Sequence, residues 1–349
     1  MKKNRYFAAI IGTGRIGFSL GFDKKREQPA SHTMALLKNK RISLIAAADT
    51  NEENLENWRN YVKKHNSKNE FTLSFSTSEE LYKNVTCLDI ITVAVNEEYH
   101  LEECIKAIEY KPKLVILEKP VALNSKEANE IKAKAEECGV KVMVNHERRF
   151  SKDYLSIVSL IKEIGDIQSV VGELDSGLRI YGKEFENDGT YSLLHDGTHL
   201  VDIIQYLFGC KLELPIVSGI HKDEKEVVRN FSAHYQSVVS TFGTIPEITV
   251  KMSGRSKFFE FRVEILGTLG KIIIGNGIAQ FYKREESKLY TGFYSLSAQK
   301  IKLPKKTGYF SGMVQNAVDF LDGESELVSP LDDAIADLKV LEEIKEKLA

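Results

Sequence analysis

Tyr6-Phe7-Ala8-Ala9-Ile10-Ile11-Gly12-Thr13-Gly14-Arg15-Ile16-Gly17 decides the fold. A short apolar run leads at once into a GxGxxG spacing, and a helical pattern follows. Each glycine has a separate reason in that context. Gly12 permits the tight turn, Gly14 lets backbone approach a pyrophosphate, and Gly17 lets helix and strand pack closely. Backbone N–H groups of Gly12, Thr13, Gly14, Arg15 and Ile16 then form an anion site at a helix start. The stretch is read as the first strand and phosphate turn of a dinucleotide-binding domain.

Working outward, the helix does not run cleanly. Gly21-Phe22-Asp23-Lys24-Lys25-Arg26-Glu27-Gln28-Pro29 is polar and interrupted, and Ser31-His32-Thr33-Met34-Ala35-Leu36-Leu37 resumes the helical pattern. The interruption is expected to be a surface insertion within the crossover. Ile42 to Ala48 forms the second strand and ends on Asp49. An acid at that tip accepts from the ribose hydroxyls and repels a 2′-phosphate, so NAD is expected rather than NADP. Asp49 lies further from the glycines than the usual ~20 residues, and the insertion accounts for the excess.

The alternation continues with helices at about 51–65, 78–83, 97–109 and 124–138 and strands at about 71–75, 88–95, 113–117 and 140–145. Six strands with intervening helices imply a parallel, doubly wound sheet, with ligand along the carboxyl ends of its strands. Those tips are Gly12, Asp49, Asn96, Lys119 and Asn145. The tip at Ile116-Leu117-Glu118-Lys119-Pro120 carries a lysine whose neighbourhood proline restricts, an unusual place for a charge.

From about residue 147 the strict alternation stops. Strand-like runs at about 167–174, 216–221, 227–236, 238–243, 247–254, 259–265, 270–275 and 278–282 are mixed with helices at about 151–163, 311–322 and 331–348, and with one that Leu200, Val201, Ile203, Ile204, Leu207 and Phe208 support and Gly209 ends. The fold class is α/β: an N-terminal doubly wound Rossmann domain over 1–146, then a C-terminal α+β domain over 147–349 with a mostly antiparallel or mixed open sheet. Formal net charge is −2 with scattered basic residues, which excludes an electrostatic footprint for nucleic acid or a lipid surface. No apolar run approaches the roughly 18 residues that span a bilayer, and no signal peptide is apparent at the amino terminus. Four well-separated cysteines read as reduced residues of a cytoplasmic protein.

GTGRIG, VAVNEEYH at 93–100, EKP at 118–120 and NHERRF at 145–150 together resemble the Gfo/Idh/MocA family. The resemblance implies an NAD(P)-dependent oxidoreductase acting on sugars, sugar derivatives or cyclitols. It implies that Lys119 is a catalytic residue beside the nicotinamide. Val95-Asn96 stands where the family usually has Thr-Pro, and His100 keeps its place. Asn96, His100 and Glu118 are accordingly expected at the cofactor, and Asn145, Arg149 and His195 toward substrate. Arg148, Arg149, Arg179 and the 183–192 loop could face the cleft, where arginines would suit a phosphate or carboxylate, or the arginines could form salt bridges at the domain crossing. Family second domains commonly use their sheet face for homodimers or homotetramers, which the apolar strands 259–275 fit.

His195-Asp196-Gly197-Thr198-His199 looks like a variant of the zinc motif HExxH. Asp is shorter than the expected Glu, Gly interrupts the helix and no third ligand is evident, so no metal is expected. In the family reading His199 and Asp196 are catalytic, with Asp202 a further candidate to orient the imidazole. The expected reaction moves a hydride between NAD and a secondary alcohol or ketone of a carbohydrate-like substrate. His199 or Lys119 takes the alcohol proton. The alternatives are a redox-sensing dinucleotide-binding regulator without turnover, or an NAD-dependent glycosidase.

Overall fold

A computed structural model describes residues 4–65, 72–176 and 196–348. The chain divides into two compact units, Met1–Ser151 with Lys306–Ile335 and Lys152–Lys305 with Ala336–Ala349.

The first unit holds a six-stranded sheet of β1 (Tyr6–Ile11), β2 (Ile42–Ala48), β3 (Leu73–Phe75), β4 (Ile90–Val93), β5 (Leu114–Leu117) and β6 (Lys141–Val144). Its order is β3-β2-β1-β4-β5-β6 and every pairing is parallel. Every residue of β4 and β5 is buried, because parallel strands with helices on both faces have no solvated side. The helices are α1 (His32–Lys38), α2 (Glu52–His65), α3 (Ser78–Asn84), α4 (His100–Glu109) and α5 (Ser125–Cys138). Local chemistry sets their limits. For α5 the Asn124 side chain caps the start by accepting from Glu127 N–H, and Gly139 ends it at φ +67°.

The expected insertion is a twelve-residue excursion from one helix. Phe18 N–H donates to Gly14 O, as in a helix. Leu20 N–H fills the rung to Arg15 O at 2.7 Å, and the two after it, to Ile16 O and Gly17 O, are filled by His32 and Thr33 at 3.2 and 2.9 Å, in the register that direct succession of Ser19 by His32 would give. The Thr33 hydroxyl also donates to Gly17 O and accepts from Trp58 Nε1, fixing the splice. Subtracting the excursion restores the ~20-residue spacing from Gly17 to Asp49.

The second unit is an eight-stranded sheet of β7 (Ile167–Asp175), β8 (Ile216–Lys222), β9 (Val228–Ser240), β10 (Gly243–Ser253), β11 (Glu260–Gly267), β12 (Gly270–Gly275), β13 (Ile278–Glu286) and β14 (Tyr294–Gln299). The order is β14-β13-β12-β11-β7-β10-β9-β8, with β7 and β10 parallel and the other pairs antiparallel. One face packs on α6 (Lys152–Ile161) and α7 (Gly197–Phe208). The runs expected at 227–236 and 238–243 are mostly a single strand. Ser237 sits at φ +53° opposite Pro246, where the ladder skips a pair, and that irregularity reads as a break. β14 was not expected, since its side chains are exposed or half-buried and leave no core pattern.

Two expectations need correction. Of the apolar side chains of 259–275, Phe261, Val263, Ile265, Ile272 and Ile274 lie in the unit's own core and form no outer face, while Phe259 and Leu269 are exposed and Leu266 and Ile273 half-buried. What alternates outward on β11 is Glu260, Arg262 and Glu264, and Arg262 pairs with Glu173 at 2.5 Å. The domain boundary also moves. α8 (Tyr309–Leu321) buries Phe310, Met313, Val314, Ala317 and Val318 in the core of the first unit, so Lys306–Ile335 belongs there. Helical periodicity shows that such a face exists, not which sheet it covers. The last helix, α9 (Leu331–Leu348), is divided after Ile335.

Candidate functional site

Registers in the parallel sheet bring the ends of five strands level: Ala48, Ile11, Val93, Leu117 and Val144. The next residues, Asp49, Gly12, Ala94, Glu118 and Asn145, form a row along the carboxyl edge. Four backbone bonds hold it, from Gly12 N to Ala48 O, Ala94 N to Ile11 O, Glu118 N to Val93 O and Asn145 N to Leu117 O, at 2.8 to 3.0 Å. At about 4.8 Å per strand, Glu118 stands roughly 10 Å from Gly12 and roughly 14 Å from Asp49. Asn96 is not in this row. It lies three residues past β4, exposed, in the turn before a short 3₁₀ helix at Glu97–Tyr99.

The glycine turn has two closed positions and one open one. Gly12 is at φ +92° and a Cβ there would fall 2.5 Å from Ala94 O, so strand tips β1 and β4 touch at this residue. A Cβ on Gly17 would overlap the Gly12 carbonyl. At Gly14 the nearest atom to a Cβ is Asn54 Nδ2, 3.8 Å away, so backbone is open to an incoming group. Arg15 is exposed on the turn, and Ile16 is half-buried with its carbonyl at the splice. Asp49 holds the turn: Oδ2 accepts from Thr13 N–H at 2.6 Å and the Thr13 hydroxyl at 2.9 Å. Its Oδ1 accepts from Asn51 N–H at 2.8 Å, at the entrance to α2. Beside the turn is a cavity of about 240 Å³ lined by Thr13, Phe18, Ser19, Phe22, Asn54 and Asn57.

At the other end of the row Glu118 is almost wholly buried. His32 Nε2 and Asn145 Nδ2 both donate to its Oε1 at 2.6 Å, and Lys119 N–H donates to Oε2 at 3.3 Å. Burial opposes the carboxylate form, but the His32 bond and charge, Asn145 and Lys119 outweigh it and bring the Glu118 pKa down to about 2. An ionised carboxylate only accepts, so His32 carries its hydrogen on Nε2. Lys119 itself is half-buried and its bond to Pro120 is cis. The sequence reading passed over His32. The available signal was a histidine on the apolar side of a resumed helix, which ordinarily marks a core residue.

His100 is buried, with Nδ1 donating to Pro120 O at 2.6 Å and Nε2 3.2 Å from Val95 O. Burial lowers the His100 pKa. The ring therefore clasps the turns after β4 and β5 together; its nitrogens are occupied by backbone. Asn145 is likewise buried and serves Glu118. Arg149, expected toward substrate, is 3% exposed and donates to Asp333 at 2.5 Å and Val328 O at 2.9 Å. Its guanidinium ties the turn after β6 to the segment before and within α9. Glu147, in the same turn, has its pKa raised by burial, against Arg148 and with Glu118.

In the second unit Asp196 occupies the N-cap position of α7 without a side-chain cap bond, and its carbonyl accepts from His199 N–H. His199 is half-buried and Asp202, one turn on, is wholly buried. Gly197 faces Met252, whose side chain would lie 2.9 Å from a Cβ, so the start of α7 sits tightly on β10. His195, Arg179 and the 183–192 loop lie outside the described residues.

A parallel sheet in 3-2-1-4-5-6 order, a glycine turn at its switch point and an acid at the tip of β2 define an NAD(P)-binding Rossmann unit. Residues 7–146 match the family described as GFO_IDH_MocA, oxidoreductase family, NAD-binding Rossmann fold. Over 131 residues it is 29% identical to scyllo-inositol 2-dehydrogenase (NADP(+)) IolW of Bacillus subtilis, covering 36% of each chain. Over 191 residues it is 29% identical to glucose-6-phosphate 3-dehydrogenase of the same organism, covering 51% of this chain and 50% of that one. These matches span half or less of those relatives' lengths. The fold is shared with an oxidoreductase from Agrobacterium radiobacter solved with NAD+, L-tartaric acid and magnesium, at TM-score 0.72 and 15% identity, covering 97% and 95% of the two chains. No helix among the described residues is long and apolar enough to cross a membrane.

Proposed function

We propose that the protein is an NAD-dependent oxidoreductase that moves a hydride between nicotinamide and a secondary alcohol or ketone of a sugar, sugar derivative or cyclitol. The observation that carries this reading is the row of strand tips, with an open glycine turn toward one end and Lys119 at the other. The fit to a dinucleotide rests on Gly14, where the missing side chain leaves backbone open while Gly12 and Gly17 are closed. Asp49 keeps a carboxylate at the tip of β2, which favours the free ribose of NAD over a 2′-phosphate.

When bound, the cofactor supplies the hydride acceptor or donor. The chain's residues handle the proton and the charge on oxygen. Oxidising an alcohol requires a base at the hydroxyl and a donor or cation for the developing alkoxide. Lys119 offers an ammonium for the second task, and His199 an imidazole for the first. Homo-oligomeric assembly, expected from the resemblance, is retained as a proposal checked by mass in solution.

The test is NADH formation at the reduced-nicotinamide band, with a panel of inositols, sugar phosphates and nucleotide sugars. Turnover of any member supports the reading. A protein that binds NADH yet turns over none acts as a regulator. Release of a free sugar without accumulating NADH indicates a glycosidase.

A further inference from the structure

His32 stands where the excursion rejoins its helix. His32 is wholly buried, Asn145 is 2% exposed and Glu118 is 5% exposed. Buried polar side chains such as these are costly unless their bonds are made. Here both amino-side donors converge on one carboxylate oxygen, while the other oxygen accepts from the Lys119 amide. Phe310 packs edge-on against the His32 ring at 5.2 Å and limits how it can turn. The chain of contact thus runs from His32 through Glu118 to the backbone of Lys119.

We propose that His32 is a positioning residue for Lys119: with Asn145 it fixes the Glu118 carboxylate, and Glu118 in turn fixes the lysine's backbone and supplies a constant negative charge beside it. This rests on the reading that Lys119 serves the reaction. Neither the glycine turn nor Asp49 takes part, so the effect belongs to the reacting end and not to cofactor affinity. The charged and titratable groups that bear on Glu118 are His32 from α1, Lys119 beside it, His100 from α4 and Glu147 from the turn after β6. Of these, His32 is the one that donates a side-chain hydrogen bond to it.

Two measurements on the full-length protein test this. In the first, the carboxyl carbon of Glu118 is followed by ¹³C NMR across pH in wild type and His32→Ala, with Glu118→Gln to assign the signal. Loss of His32 should move the Glu118 titration upward by about one unit or more. This readout needs no turnover, so it stands even if no substrate is found; an unmoved titration overturns the proposal. In the second, steady-state rates on any substrate found should show kcat of His32→Ala reduced roughly 10- to 100-fold, with KM for NAD within about threefold. His32→Gln keeps a side-chain N–H and should recover most of the loss. A His32→Ala protein with lower thermal stability but unchanged kcat would make the contact structural and overturn it. If His32→Ala fails to fold, His32→Gln carries both measurements, and normal Glu118 titration with impaired kcat also overturns the proposal. Absence of turnover in wild type, with a shifted titration, sinks the dehydrogenase reading while leaving the His32–Glu118 coupling in place.

Discussion

Lys119, one residue past the tip of β5, and Asp49, at the tip of β2, lie three strands apart along the same sheet edge, and their replacement should separate chemistry from cofactor choice. Lys119→Ala is expected to lower turnover roughly 10²- to 10⁴-fold while leaving NADH affinity, read by fluorescence titration, within about threefold. Asp49→Ala removes two bonds to Thr13 and the charge at the tip of β2. It should weaken NADH binding by about 10- to 150-fold, since one lost hydrogen bond from a ribose hydroxyl to a charged group is worth about 1.5–3 kcal/mol. NADPH should be affected less, and an unchanged NADH/NADPH ratio would refute the role. Glu118 gives a stability prediction. Its folded pKa of about 2 lies below the usual ~4.3, so its contribution is present above pH ~5 and is lost as pH falls toward 2. The contribution is on the order of 3 kcal/mol. Denaturant unfolding of Glu118→Gln should therefore be weaker than wild type at pH 7 and converge with it near pH 2. His32 and Arg149 show what the sequence hides at this scale. Their types and positions are visible, but their partners Glu118 and Asp333 lie 86 and 184 residues away.

The excursion of residues 20–31 is the element that distinguishes the first half of the chain. Phe22 packs on Phe18 and Tyr61, and Glu27 accepts from Thr307 N–H, the Thr307 hydroxyl and Gly308 N–H, at the start of α8. Gly308, at the N-cap of α8, has no side-chain oxygen of its own, so Glu27 supplies it from elsewhere in the chain. Glu27→Ala should lower stability by about 1 kcal/mol, seen as a shift in the urea midpoint with an unchanged slope. Deleting residues 20–31 joins Ser19 to His32 in the register the backbone already uses. That protein should fold with its far-UV spectrum intact and bind NADH within about threefold of wild type. An unfolded product would mean that the excursion is needed to build the helix and does not merely interrupt it. The polar run from Gly21 to Pro29 marked the excursion in the sequence; the splice itself requires the hydrogen bonds from His32 and Thr33.

His199 belongs to the second compact unit. If it takes the alcohol proton, His199→Ala should lower turnover roughly 10²- to 10⁴-fold with NADH affinity within about threefold, and unchanged turnover would refute the role. At this scale the sequence by itself determined the dinucleotide-binding half: the glycine spacing, the apolar strands and the Asp49 tip are local patterns, and strict alternation of strand and helix permits few topologies. It also determined that a mixed open sheet follows. Only the tertiary structure decided that α8 joins the first core and that Phe261, Val263, Ile265, Ile272 and Ile274 face the core of their own unit. It also decided that His100 and Arg149 hold backbone and carboxylate groups within the first unit. The physical reason is common to all three. Periodicity states that a face is apolar or that a group is charged, whereas its partner is chosen by packing between segments distant along the chain.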